Sequence, residues 1–216
     1  MDFPYIYRKR TGYKVLTAYI FQKIANKGKA EGVKPNATSV ARTWYRDQAS
    51  SLTSQNVNKN RLMNDKQNVV AQITINDIGK MYMFFYDPKL KDILPYYDTF
   101  PLVFPIGFQE GGFLGINLHY LPTYLRAKLM DALYSTANNN KYDDTTKLKL
   151  SYNILNGASK FSYFQPCLKK YLWDHVQGKF LYVEPKNWDT ALMLPTERFQ
   201  KANKVKVHND SVRKVQ

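Results

Sequence analysis

The chain has few of the residues that enzymes use for metal binding and covalent catalysis. One of its 216 residues is cysteine, Cys167, and three are histidine, at His119, His175 and His208. A single cysteine excludes an intramolecular disulfide, and scattered histidines do not have the local spacing of a zinc site. No apolar run approaches the roughly 20 residues that cross a bilayer. Residues 1–10 do not contain the apolar core of a signal peptide. We therefore expect no membrane segment, no metal and no cofactor.

Acidic residues are also scarce. The chain has 17 Asp and Glu against 32 Lys and Arg, which gives a net charge of +15. The excess is concentrated at the ends: residues 1–66 carry +9 and residues 197–216 carry +4, whereas residues 67–196 carry +2. Such a charge attracts polyanions, of which nucleic acid is the usual one, although an acidic protein would satisfy it equally.

The basic ends contain the candidate binding residues. Tyrosines alternate with cations near the start of the chain, and aromatic side chains beside cations are typical of single-strand binding surfaces. The same pattern would also suit an arm that docks on a neighbouring subunit. The candidate residues for nucleic acid or partner binding are Tyr5, Tyr7, Arg8, Lys9, Arg10, Lys14, Lys23, Lys27, Lys201, Lys204, Lys206, Arg213 and Lys214.

The distribution of apolar residues predicts an α+β protein in three parts. Residues 1–66 form a basic helical arm, because Tyr13, Leu16, Ile20 and Ile24 recur at helical spacing. Residues 67–200 form the core domain, in which a small antiparallel sheet precedes helices that pack on it. Residues 201–216 show no apolar periodicity and are predicted to be a basic extension lying away from the domain.

Within the core domain, the order of elements follows from local patterns. The Met/Phe/Tyr run at 80–86 predicts a strand buried on both faces. The prolines in 101–106 suit either an edge strand or the start of a strand. Residues 113–120 favour a third strand. Helices are predicted within 122–194. One of them carries Leu125, Leu129 and Leu133 on one face, and another covers 166–176 and ends before Gly178. The run at 179–183 favours one more strand.

Catalytic combinations are weak in this sequence. Cys167 and His175 lie eight residues apart, or about 12 Å along one helix, which is too far for a nucleophile and its base. Asp87, Asp92 and Asp98 would suit a two-metal nuclease only if other carboxylates converged on them, and turns explain them with fewer assumptions. His119 ends an apolar strand, which favours a structural imidazole. We therefore expect a protein that binds and does not catalyse.

Three segments resemble a known family: MYMFFYDPK at 81–89, LPYYDTFPLVFPI at 94–106 and GFLGINLHYLP at 112–122. With the patterns at 146–159, 166–171 and 188–195, they are similar to a small protein of T4-like contractile-tailed bacteriophages. The likeness covers about residues 80–215.

The resemblance implies a virion protein with no catalytic residues, either the DNA end protector or a minor neck, tail or baseplate component. We expect it in the virion after assembly in the host cytoplasm, within a symmetric assembly. Its expected partners are other virion proteins and packaged double-stranded DNA. A free nucleic-acid-binding protein acting during infection is the alternative, and a nuclease is a weaker one.

Overall fold

The computed structural model describes residues 20–33, 38–64, 68–137, 139 and 141–213, in which helices and strands are interspersed. The helices are α1 (Ile20–Ala30), α2 (Ser39–Ser50), α3 (Lys59–Leu62), α4 (Thr123–Ala137), α5 (Asp144–Lys160), α6 (Trp188–Met193) and α7 (Lys204–Arg213). The strands are β1 (Val69–Val70), β2 (Met81–Met83), β3 (Tyr97–Asp98), β4 (Leu102–Gln109), β5 (Gly112–Asn117), β6 (Leu168–Leu172), β7 (Phe180–Val183) and β8 (Phe199–Gln200). The predicted α+β class is confirmed.

The main sheet has six strands in the order β1-β7-β2-β4-β5-β6, and every neighbouring pair is antiparallel. Strands β3 and β8 pair with each other outside it. One edge of the sheet is β6, which runs beside β5 from the Gly112–Leu172 pair to the Ile116–Leu168 pair. A side chain at Gly112 would collide with the backbone carbonyl of Tyr171, so glycine permits this close pairing.

Both faces of the sheet are buried, as the run at 80–86 predicts. In β2, Met81 and Met83 belong to the main core, whereas Tyr82 on the opposite face belongs to a second, largely aromatic cluster with Phe84. The alternation follows from the two-residue period of a strand. The second cluster also contains Tyr171 of β6.

Helices cover the face of the sheet that carries Met81 and Met83. Leu125, Leu129 and Leu133 of α4 lie in the main core, which confirms that they form one buried stripe. Phe21 of α1 and Leu62 of α3 join the same core. Among the described residues of the predicted arm, 20–33 and 38–64, helices α1 and α3 thus contribute side chains to the same core as the sheet. Residues 1–19 and 34–37 lie outside the described residues.

Strand β4 is central, so the edge-strand alternative is wrong, whereas Pro101 does stand immediately before the start of the strand. Pro105 lies between β2 and β5 in the sheet, but the register shifts between Pro105 and Gly107. Proline has no N–H to donate to a neighbouring strand, so it is tolerated inside a sheet mainly where the strand register is interrupted, as it is here.

The predicted helix at 166–176 is wrong. A 3-10 helix at Ser162–Cys167 leads into β6, and a second follows at Trp173–His175. In β6, Tyr171 is buried while Lys170 is exposed. Pairing with β5 fixes this segment as a strand, a tertiary contact that its own sequence does not reveal.

The C-terminal segment also differs from its prediction. Residues 204–213 form α7, in which Val207 is fully buried and Ser211, one turn later, is 3% exposed. The ring Nε2 of His208 lies 2.9 Å from the carbonyl oxygen of His119. The packed face uses one valine and small or polar residues, so a search for apolar periodicity does not detect it. Residues 214–216 lie outside the described residues.

Candidate nucleic-acid interface

A cavity of about 350 Å³ opens beside the β6 edge of the sheet. Strand β6 and the 3-10 helix at Leu118–Tyr120 form one part of its wall, and the loop of residues 86–97 forms another. We call it the tyrosine pocket. Its lining residues are mostly aromatic, aliphatic or lysine: Tyr86, Pro88, Lys89, Leu90, Leu94, Tyr96, Tyr97, Asp98, Asn117, Tyr120, Lys169, Lys170, Tyr171 and Leu172.

Four of the tyrosines meet in two pairs. The rings of Tyr86 and Tyr171 lie 4.9 Å apart in an edge-to-face arrangement. Those of Tyr96 and Tyr120 lie 6.1 Å apart with an interplanar angle of 36°. Burial is the largest cause that raises the pKa of Tyr120 and Tyr171 above the ordinary value, so both hydroxyls stay protonated at neutral pH. The wall therefore offers uncharged aromatic surface.

Lysines supply the positive charge at this site. The Nζ of Lys169 lies 4.1 Å from the ring centroid of Tyr120, within the range of a cation–π contact. Lys89 and Lys170 are exposed and also line the pocket. Asp98 is the one carboxylate among the lining residues, so the pocket carries a net positive charge.

Asp98 anchors a buried polar chain beneath the pocket. Its Oδ2 lies 2.6 Å from Nδ1 of His119, and Nε2 of that ring lies 3.2 Å from the hydroxyl of Thr196. Its Oδ1 accepts backbone hydrogen bonds from Phe100 and Arg198, each 3.0 Å long. Burial alone would raise the pKa of Asp98, but the interaction with His119 and these hydrogen bonds together lower it below its ordinary value. Asp98 is therefore anionic at neutral pH.

The chain of Asp98, His119 and Thr196 has the spacing of an orienting carboxylate, a base and a hydroxyl nucleophile. However, His119 and Thr196 are both 0% exposed, so a substrate has no path to the hydroxyl. The chain instead holds the pocket wall. Asn117 Nδ2 donates to Asp98 Oδ2 at 3.3 Å and to the Tyr171 hydroxyl at 3.1 Å. The predicted structural role of His119 is thus confirmed.

A buried arginine fixes the same floor to the helices. Arg126 of α4 donates to the carbonyl oxygens of Leu121, His119 and Leu192, at 2.8, 3.1 and 3.1 Å. Burial is the main cause that lowers the pKa of Arg126. Its partners come from the 3-10 segment beside the pocket and from α6, so this arginine links the pocket floor to the helical layer.

Lys201 holds the opposite wall of the pocket. Its Nζ donates to three backbone carbonyls of the pocket loop, those of Lys91, Asp92 and Leu94, at 2.7, 2.8 and 3.2 Å. Its backbone φ of 65° lies in the left-handed region. This residue was a candidate for binding DNA, but its ammonium group is engaged by the protein and positions the loop.

The remaining predicted binding residues do not converge on the pocket. Lys23 and Lys27 are exposed on α1. In the C-terminal segment, Lys204 pairs with Glu197 at 2.6 Å and Lys206 pairs with Asp210 at 3.0 Å. Arg213 is exposed at the end of α7. Outside the described residues lie Tyr5, Tyr7, Arg8, Lys9, Arg10, Lys14 and Lys214. The binding role of this set stays a prediction.

The lone thiol has the predicted packing role. Cys167 is fully buried in the main core, and burial raises its pKa to about 12. It belongs to a 3-10 helix and not to a common helix with His175, whose Nδ1 lies 2.8 Å from the carbonyl oxygen of Asp87. Among the described residues there is no group of three or more His, Cys, Asp or Glu side chains placed to hold a metal. No helix in that part of the chain is long and apolar enough to cross a membrane.

Comparison with known families settles which family this is. The family model for the phage T4 terminal DNA protecting protein matches residues 19–214. The chain belongs to this family. The resemblance to a T4-like phage protein is thereby confirmed, and it begins about 60 residues earlier than the block at 80–215. No curated protein and no solved structure matches the chain.

The family assignment gives the protein a role in protecting phage DNA. Among the candidates that the resemblance implied, the DNA end protector is the one that the family names. Sequence reasoning did not single out the tyrosine pocket, because its walls come from segments far apart in the chain. One signal was available: Tyr86, Tyr96 and Tyr120 lie in the segments that carried the resemblance, as do Lys169, Lys170 and Tyr171.

Proposed function

We propose that this protein is a non-enzymatic cap on the ends of packaged double-stranded DNA in a tailed-phage particle. The observation that carries the proposal is the family match, which spans residues 19–214. A net charge of +15 supports it, because a cap must remain close to a dense row of phosphates. The tyrosine pocket adds a concave site that combines aromatic surface with lysines.

The non-enzymatic part of the proposal rests on the buried polar chain. A hydroxyl, an imidazole and a carboxylate align at Thr196, His119 and Asp98, but the first two are closed to solvent. These residues instead orient the pocket wall, because Asn117 donates hydrogen bonds both to Asp98 and to the hydroxyl of Tyr171. A protein that protects DNA must shield its end without cutting it, and a scaffold of this kind suits that task.

The basic chain ends belong to the same proposal. Lys23, Lys27 and the cations of residues 8–14 would contact the DNA backbone or acidic faces of neighbouring virion subunits, as would Arg213 and Lys214. Contacts to phosphate position a protein without reading sequence, which suits a cap that must accept any terminus. Such a cap would enter the virion during assembly in the host cytoplasm and would be part of a symmetric assembly there.

Competition between linear and closed circular DNA of identical sequence tests the end-binding proposal. We expect linear duplex to compete better, by a ratio that falls as the linear molecule is lengthened at constant base-pair concentration. The physical reason is that lengthening the molecule lowers the concentration of ends, whereas the concentration of non-specific binding sites along the duplex stays the same. Equal competition by the two forms at every length would show that the protein binds duplex without regard to ends.

Mass spectrometry of purified particles separates the virion proposal from the alternative of an infection-time factor. A cap should be present at a fixed, low copy number per particle. Absence from particles that retain their other minor proteins would contradict the virion role.

A further inference from the structure

We propose that the tyrosine pocket binds the terminal nucleotide of a DNA end, with its base unstacked into the pocket and its phosphate at the lysine rim. This assignment rests on the proposed end-capping function and names the site that performs it. The observations that carry it are the shape, the lining and the charge placement of the pocket.

The lining fits a nucleobase better than it fits a phosphate. The cavity volume of about 350 Å³ lies in the range of pockets that hold one small ligand, about 300–1,000 Å³. Tyr86, Tyr120 and Tyr171 are only 7%, 5% and 3% exposed, so a base would chiefly meet the half-buried rings of Tyr96 and Tyr97. Such rings accept any base, because every base has a π-face. A pocket of this kind binds without a sequence requirement.

Placement of charge fixes the direction in which a nucleotide would enter. Asp98 is the one carboxylate of the lining and lies at the floor, where both of its oxygens already accept internal hydrogen bonds. The floor therefore disfavours a phosphate group. The exposed Lys89 and Lys170 lie toward solvent and would attract one. The base therefore enters first and the phosphate remains at the rim.

The same geometry explains a preference for ends. A base within a duplex must break its pairing and its stacking on both sides to enter a pocket. This free-energy cost is least for a base that is already unpaired. A terminal base has a stacking neighbour on one side only. The polar chain behind Asn117 and the contacts of Lys201 fix the pocket walls before DNA arrives, which reduces the ordering that binding requires.

A fluorescent base analogue tests this assignment. Blunt duplexes would carry 2-aminopurine either at the terminal position or at an internal one, with binding followed by the change in its emission. We expect the purified full chain to change the emission of the terminal probe and to leave the internal probe unaffected. Closed circular DNA carrying the internal probe provides the baseline without ends.

Two pocket variants, each with a matched control outside the pocket, identify the site. Tyr96→Leu keeps an apolar side chain but removes the ring, whereas Tyr96→Phe keeps the ring. We expect Tyr96→Leu to weaken end binding about 5- to 100-fold, the range for loss of one stacked base, and Tyr96→Phe to retain it. Tyr124→Leu removes a tyrosine that is 57% exposed on α4 and should have no effect.

The second variant tests the rim. Lys170→Glu should weaken end binding and reduce its salt dependence, whereas Lys128→Glu makes the same charge change on α4, outside the pocket. If the wild-type chain prefers ends, and both pocket variants retain that preference and the terminal-probe signal, the pocket assignment is overturned while end capping stands. If the wild-type chain shows no preference for ends, the proposed function fails and this assignment fails with it.

Discussion

Replacement of Arg46 by alanine tests whether the N-terminal helices belong to the core. Arg46 of α2 reaches two carboxylates: its Nε lies 3.1 Å from Oδ1 of Asp189, and its Nη2 lies 3.1 Å from Oδ1 of Asp131. The two carboxylates differ in burial. The side chain of Asp189, on α6, is 1% exposed, whereas that of Asp131 is 57% exposed. The arginine therefore compensates one buried charge and one surface charge.

The expected loss of stability follows from this difference. Removing one partner of a buried ion pair costs about 3–5 kcal/mol, because the remaining charge is left buried without compensation. We expect Arg46→Ala to lie near the lower end, at about 3 kcal/mol, since Asp189 can escape the penalty in part by taking up a proton. Asp131→Asn removes only the surface pair and should cost at most about 1 kcal/mol.

The pH dependence of the loss is specific to this mechanism. Burial raises the pKa of Asp189 above its ordinary value, and Arg46 opposes that rise. Without Arg46 the pKa rises further. A carboxyl whose pKa is higher in the folded than in the unfolded protein holds its proton more tightly when folded. The buried Asp189 carboxylate therefore destabilises the variant at high pH, and this destabilisation is relieved as the pH falls toward the pKa of Asp189 in the folded protein.

Urea unfolding of wild type, Arg46→Ala and Asp131→Asn at several pH values measures these effects. The difference in free energy of unfolding between wild type and Arg46→Ala should narrow as the pH falls from 8 toward 5. The double variant Arg46→Ala with Asp189→Asn should recover part of the loss, because no charge then remains buried. A loss below about 0.5 kcal/mol at pH 8, or one that does not depend on pH, would refute the buried-charge reasoning.

Three further changes have definite expected outcomes. Leu129→Ala removes a buried core side chain and should lower the free energy of unfolding by about 2–5 kcal/mol in urea melts; a loss under about 0.5 kcal/mol would contradict its core position. Gly112→Ala places a methyl group against the backbone of Tyr171 and should cost about 1–3 kcal/mol or more; hydrogen exchange should show the damage in β6, and unchanged protection there would argue against the close pairing. Reversing Lys23 and Lys27 to glutamate should weaken DNA binding and reduce the log–log salt slope by about 0.9 for each phosphate that the protein no longer neutralises, whereas an unchanged slope would remove α1 from the DNA surface.

Local patterns predicted those elements whose burial is visible in their own sequence. The run at 80–86 has enough apolar residues for both faces of a strand, and it supplies β2 inside the sheet. The leucine stripe of α4 follows helical spacing and is buried as expected. In both cases the pattern and the tertiary environment point to the same structure.

Tertiary contacts decided the elements that sequence reasoning placed wrongly. Residues 168–172 form a strand by pairing with β5, where Gly112 permits a close approach of the β6 backbone. The helix at 204–213 packs through Val207, Ser211 and His208, a face that is too polar for a hydrophobic pattern to reveal.

The tyrosine pocket shows the same limit at the level of function. The distribution of net charge predicted binding residues at the chain ends, where cations are dense in the sequence. The pocket instead combines cations that are sparse in sequence, Lys89 with Lys169 and Lys170, and joins them to tyrosines from separate segments of the chain. Lys201, chosen for its charge, turned out to hold one wall of that pocket.

Exonuclease digestion of linear duplex DNA is the most direct test of end protection by this protein. End-labelled molecules of several lengths would be digested at increasing protein concentration, with a restriction endonuclease that cuts at an internal site as the control. We expect resistance to the exonuclease to depend on the ratio of protein to DNA ends, with no dependence on length, while internal cleavage continues. Protection that requires protein in proportion to DNA length, or that blocks internal cleavage equally, would show coating of the duplex and would contradict an end cap.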